Sequence, residues 1–249
     1  MRDSITRDNK NLIIRILAVL FWFFVWQVIG SYLDNDLLLP MPLTVIKTLF
    51  SMMGQKMFYI AVLNTIIRII LGFLISCIIG IILSILSYNF KFARILLSPL
   101  ISFIKSTPLA SIIILALVWI KSQNLSLLIS FFVVLPTIYT NILKGLDNIN
   151  LKLIKMAQVF RVNNYKKVKF IYIHEIKPYL IAATSISLGF CWKAGLAAEV
   201  IGLPQNSIGE ALYSSKIYLN TAELFAWTLF IIFISFVFEK IFIYTLQKL

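Results

Sequence analysis

Residues 69–86 read IILGFLISCIIGIILSIL, eighteen positions without an Asp, Glu, Lys or Arg. That is the length at which an apolar helix can cross the hydrocarbon core of a bilayer. Outward from it the pattern recurs. Ile16 to Leu33, Ser122 to Leu143 and Leu224 to Phe238 are also free of charged side chains, and the last reaches spanning length once Glu239 and Lys240 sit at an interface. With 60% of 249 residues hydrophobic and 13% charged, the chain has too few polar side chains to clothe a water-soluble globule. It reads as an all-α membrane protein.

Six transmembrane helices are expected, at about 12–33, 60–87, 95–120, 123–143, 178–198 and 222–246. The N-terminal run is long, is interrupted by Trp22 and Trp26, and lacks a small-residue cleavage site, so it reads as the first span rather than as a cleaved signal. The net charge of +13 suggests nucleic acid until its distribution is laid on these spans. Of the 23 Lys and Arg, sixteen fall on the side of the N-terminus and four on the other, namely Lys47, Lys56, Lys121 and Lys216. Positive charge collects on the cytoplasmic side. Both termini are therefore expected in the cytoplasm, in a multi-pass plasma-membrane protein with no nucleic-acid partner.

The segments between spans carry the remaining information. Asp34 to Pro42 reads as a turn, Pro42 to Met57 as a short helix near the surface, and Gly202 to Asn220 as an external loop. Lys144 to Lys177 is the largest cytoplasmic excursion. Between Asn148 and Asn163, the apolar residues Ile149, Leu153, Met156, Ala157 and Phe160 recur at helical spacing, with Lys152 and Lys155 elsewhere on the wheel. Asn163-Asn164 reads as a stop, and Tyr165 to Ile173, with Lys166, Lys167 and Lys169, as a second short helix. Such a pair either docks a cytoplasmic partner or rests on anionic lipid.

The loop resembles the coupling motif of binding-protein-dependent ABC importer permeases of the type I fold, written E-A-A-x(3)-G-x(9)-I-x-L-P. Lys155, Met156 and Ala157 stand at its start, Arg161 at its Gly, Ile171 at its Ile, and Ile173-His174 at its Leu-Pro. The apolar positions and the spacing are kept, while Glu, Gly and Pro have become Lys155, Arg161 and His174. Other stretches resemble the sulfonate, nitrate and taurine branch of that family: Leu38-Leu39-Pro40-Met41-Pro42, Asn64-Thr65 with Arg68 and Gly72-Phe73, Thr107-Pro108-Leu109-Ala110, Phe131-Phe132 with Pro136 and Asn141, and Gly189 to Gly195 followed by Ala198-Glu199 and Gly202. The resemblance runs along nearly the whole chain. It implies a single permease domain over 1–249, paired with a second copy or a relative, driven by two ATPase subunits and supplied by an extracytoplasmic binding protein. It also implies that Leu153, Lys155, Met156, Ala157, Phe160, Arg161, Ile171 and Ile173 couple to the ATPase, and that the solute is small and anionic. With Asn163-Asn164 taking the turn, Arg161 is expected to stay on the helix.

Polar residues inside apolar segments are the candidates for a translocation pathway. Lys105 precedes Thr107-Pro108, where the proline frees the carbonyl of Ile104. Lys193 lies deep in the fifth span beside Trp192, with Glu199 six residues on and 240° round the wheel. Lys105, Thr107, Pro108, Trp192, Lys193 and Glu199 therefore make up the candidate set. Lys193 either faces the cavity, favouring an anionic solute, or forms a structural ion pair across helices. Arg68, near the outer end of its span, reads as snorkelling. Cys77 and Cys191 read as two membrane-buried thiols, and His174 with Glu175 builds neither a metal site nor a relay, so no metal or cofactor is expected. No G-x-x-x-x-G-K-[ST] occurs, so ATP hydrolysis belongs to another chain. A membrane-embedded enzyme would need clustered acids, His or Cys. A stand-alone channel or secondary transporter would give the basic loop no role.

Overall fold

A computed structural model describes residues 2–33 and 35–248, with side chains described at 14, 17–33 and 35–248. Among them the regular structure is all helical: α1 (Arg2–Leu33), α2 (Pro42–Met53), α3 (Lys56–Asn89), α4 (Lys91–Ser106), α5 (Leu109–Trp119), α6 (Leu125–Asp147), α7 (Leu151–Val159), α8 (Asn164–Lys167), α9 (Ile173–Gly202), α10 (Ile208–Ile217) and α11 (Thr221–Lys248). A single 3₁₀ turn (Ser122–Asn124) leads into α6, and a π-helical segment (Val168–Tyr172) joins α8 to α9.

Among the described residues, four stretches are long and apolar enough to cross a membrane: Lys56–Asn89, Ser122–Asp147, Asn164–Gly202 and Thr221–Lys248. The expected first span lies within α1. Its described apolar part, Leu17–Leu33, is shorter than the other four, and the side chains of residues 12, 13, 15 and 16 lie outside the description. The expected third span is not one straight helix. α4 and α5 meet at 105°, with Thr107 (ψ 130) and Pro108 (ψ 131) both extended between them. Proline has no N–H to continue the ladder, and its ring pushes the preceding residue out of the helical region.

Two further departures lie in the connections. The expected second loop helix is not separate: α8, the π segment and α9 form one continuous 39-residue helix, Asn164–Gly202. Asn163 starts it instead of ending α7, its side chain accepting the N–H of Tyr165 at 3.2 Å. The external loop contains α10, whose first residue Ile208 is buried together with Ser207. α2 begins where its sequence places it, with Pro42 in the first turn.

The chain divides into two compact units, residues 1–59 with 211–231, and 60–210 with 232–249. In the first, Trp26 Nε1 donates to the Pro40 carbonyl at 3.2 Å, and the Phe58 and Trp227 rings stack at 4.8 Å. In the second, α6 packs along α9, and α3 packs onto α6 through small residues four apart: Gly72, Ser76, Gly80 and Ser84. A Cβ on Gly72 would collide with the Leu127 carbonyl, and one on Gly80 would meet Ile138 Cγ2 at 2.9 Å. The serines donate across the same seam, Ser76 to the Phe131 carbonyl (3.1 Å) and Ser84 to the Tyr139 carbonyl (2.9 Å). Lipid supplies no hydrophobic drive for helices to associate, so close backbone approach and interhelical hydrogen bonds hold such seams. Large apolar side chains such as Phe21, Phe24, Ile78 and Phe233 point outward, as the surface of a lipid-embedded helix requires.

Candidate functional site

The break between α4 and α5 opens beside a proline in α6. Pro136 leaves the Phe132 carbonyl without its helical N–H, and Phe132, Pro136 and Thr137 line a cavity of about 350 Å³ opposite Lys105, Thr107 and Lys193. Lys105 Nζ donates to Thr140 Oγ1 at 3.3 Å, and Thr140 in turn donates to the Pro136 carbonyl at 2.7 Å. Lys193 is exposed although its neighbours Trp192 and Ala194 are buried. Among the described residues the salt bridges are Arg68–Glu199 and Arg94–Asp147, and neither involves these lysines. Two cations thus share one cavity with threonine hydroxyls and no carboxylate. A charged side chain in mid-span is costly against lipid, so this face is built for water, a polar solute or another polar surface.

The other candidates from the sequence lie elsewhere. Pro108 caps the start of α5. Trp192 is buried against Phe238, ring centroids 6.2 Å apart. Glu199 is fully buried and forms a knot: it accepts from Thr65 Oγ1 (2.7 Å), Ser126 Oγ (3.2 Å) and the Gly209 N–H (3.3 Å), and pairs with Arg68 at 3.5 Å. Thr65 relays a further contact, accepting the Ile208 N–H at 3.0 Å. One carboxylate therefore ties α3, α6 and α9 to the start of α10, and every lone pair it offers has a donor, as burial demands. Arg68 does not merely snorkel. Sequence reasoning missed the partners Thr65, Arg68 and Ser126 because they are 134, 131 and 73 residues from Glu199. Thr65 and Arg68 enter the sequence reading through the family resemblance, not as partners of Glu199, and Ser126 does not enter it.

At the far end of the same helices, Arg94 grips Asp147 with two bonds (3.1 and 2.8 Å), fastening the start of α4 to the end of α6 where the large loop begins. Asn150 caps α7, accepting the Lys152 N–H at 3.0 Å. The expected apolar stripe divides. Ile149 and Ala157 are buried and Leu153 half-buried, while Met156 and Phe160 are exposed, as are Lys155 and Val159, the latter not part of the expected stripe. Farther on, Ile171 is half-buried and Ile173 exposed. α7 ends in a Schellman motif, with the Val162 N–H on the Ala157 carbonyl (2.9 Å) and the Arg161 N–H on Gln158 (3.0 Å). This places Arg161 at φ 50 and overturns the expectation that it stays on the helix. The turn remains at the position where the motif carries Gly, because Asn163 is already committed to capping the next helix.

Comparison with known proteins places these features in context. The family described as binding-protein-dependent transport system inner membrane component matches residues 76–248. The taurine transport system permease protein of Escherichia coli K12 is 24% identical over 235 residues, covering 92% of this chain and 85% of the relative. The bicarbonate transport system permease protein of Synechococcus elongatus is 23% identical over 203 residues, covering 77% and 72%. The nitrate import permease protein of the same organism is 23% identical over 197 residues, covering 75% and 70%.

Proposed function

The chain belongs to the family of binding-protein-dependent transport system inner membrane components, and from that premise we propose that it carries a small anion, sulfonate- or carboxylate-like, into the cell. It is a permease subunit of an importer, a membrane component that is not itself catalytic. The observation that carries the anionic solute is the cavity in which, among the described residues, Lys105 and Lys193 stand without a carboxylate partner. The names of the relatives support it, since taurine, bicarbonate and nitrate all bear a negative group.

In this reading the whole chain works as one permease domain, two copies of it face each other, and the N- and C-termini lie in the cytoplasm. ATP is hydrolysed on a separate pair of subunits, and an external binding protein delivers the solute. α7 meets the ATPase through Met156, Val159 and Phe160, an exposed apolar patch outside the spans that a partner would cover. Lys155 and Arg161 flank it, which predicts acidic residues opposite them in the ATPase groove; a groove lined by Lys and Arg there counts against docking. Nucleotide and binding protein would each favour one of two states of the pathway, which is all that alternating access requires.

Uptake by proteoliposomes holding the permease, its ATPase and its binding protein tests the pathway. Lys193→Gln removes one charge–anion contact, and uptake should fall about tenfold. Unchanged uptake would remove Lys193 from the pathway.

A further inference from the structure

A larger cavity, about 660 Å³, lies at the opposite end of the α3, α6 and α9 group from the Glu199 knot, and the cavity of Lys105 and Lys193 shares none of its lining. Its residues are sorted by depth. Those farthest inside the spanning helices are apolar: Ile81 and Ile85 on α3, Ile142 on α6, Leu180 and Ile181 on α9. The polar and cationic ones, among them Tyr88, Asn89, Tyr172, Lys167 and Lys177, lie toward the helix ends and the loop, where they alternate with apolar residues such as Leu146, Ile154, Val168 and Leu246. Among the described residues two lysines border the space, and no Asp or Glu does.

An apolar shaft ending in hydroxyls and two cations, at the depth where a spanning helix leaves the hydrocarbon, matches an amphiphile with an anionic head. We propose that the cavity binds an anionic phospholipid of the adjoining leaflet, one acyl chain in the shaft and the phosphate against Lys167 and Lys177. Lys177 Nζ already donates to the Gln247 carbonyl at 3.0 Å, which holds it at the rim and leaves two of its protons for the phosphate. Size agrees, because ligand cavities of roughly 300–1,000 Å³ enclose most of a medium-sized organic ligand. The cavity also borders α7 through Ile154 and Gln158, so the lipid fills the gap between the loop and the spans. Zwitterionic lipid offers the same acyl chain without net charge on its head and is held less well.

Native mass spectrometry of the permease with its ATPase partner, offered equal phosphatidylglycerol and phosphatidylcholine, reads this directly. Two lysines near a headgroup predict retention of phosphatidylglycerol about tenfold over phosphatidylcholine. The double variant Lys167→Gln, Lys177→Gln should bring the two lipids to parity at an unchanged melting temperature. Should the pair fail to assemble, Lys167→Glu and Lys177→Glu, made singly, should each lower the ratio. Equal retention by the unaltered protein overturns the proposal, as does a preference that survives in these variants. Palmitate displacing the phospholipid at equal concentration also overturns it, because the site would then serve a free amphiphilic carboxylate. The measurement contains no transport step, so its result is independent of the proposed solute.

Discussion

Arg161 shows how much a single backbone angle can report. A left-handed conformation is uncommon for a side chain with a Cβ and costs about 1 kcal/mol that glycine would not incur. The Schellman bonds fix that conformation, so the strain stays in the folded loop. Arg161→Gly should raise the unfolding midpoint of the solubilised protein, by the equivalent of about 1 kcal/mol. The same change removes a cation from the proposed ATPase surface, and binding of the ATPase, followed by surface plasmon resonance, should weaken about fivefold. Stabilisation with unimpaired binding would mean that the guanidinium has no partner. The sequence identified the position by its spacing but not the angle. Two asparagines two residues on offered an equally good turn, and only the cap at Asn163 decides between them.

Helices were legible where composition alone determines them and illegible where a neighbour does. Four charge-poor stretches announced α3, α6, α11 and the apolar part of α1, because the bilayer admits few alternatives. Thr107-Pro108 announced a disturbance, though not its size, since a proline inside a spanning helix can also be absorbed as a mild kink; Pro99, Pro136 and Pro178 sit within α4, α6 and α9. The right-angled break is an element-scale feature with an element-scale test. Pro108→Ala restores an N–H for the carbonyl of Ile104 and should let α4 run into α5. Spin labels in α4 and α5 should then move apart by double electron–electron resonance, and uptake should fall as the two-lysine cavity closes. An unchanged distance would mean that packing, not proline, sets the angle. The continuation of α8 into α9 was hidden for the opposite reason: Lys166, Lys167, Lys169 and Lys177 break the apolar signal, while the backbone ladder runs on through a π-helical segment.

For the whole molecule, the proposed sidedness rests on the charge distribution. The Glu199 knot and the α7 loop lie at opposite ends of the same helices, so placing one of them places both. A cysteine at Lys166 should react with an impermeant maleimide only in inside-out vesicles; labelling of intact cells would reverse the proposed orientation. The candidate site was the least legible part of the chain. Lys105 and Lys193 could be named from the sequence because charge in an apolar run is conspicuous, yet their convergence depends on two prolines and three helices. Met156 and Phe160 on the loop and Lys193 on α9 are exposed in the single chain, the first two proposed to meet the ATPase and the third the solute.

The unbroken helix Asn164–Gly202 has a mechanical consequence. At 1.5 Å per residue it is a rod of about 58 Å, with one tip beside the α7 loop and the other lashed by Glu199 to its neighbours. Torque applied at the near tip reaches the far one with little slack except the compliant π turn. In the proposed importer, an ATPase stroke on the loop would therefore load the distant latch through this one helix.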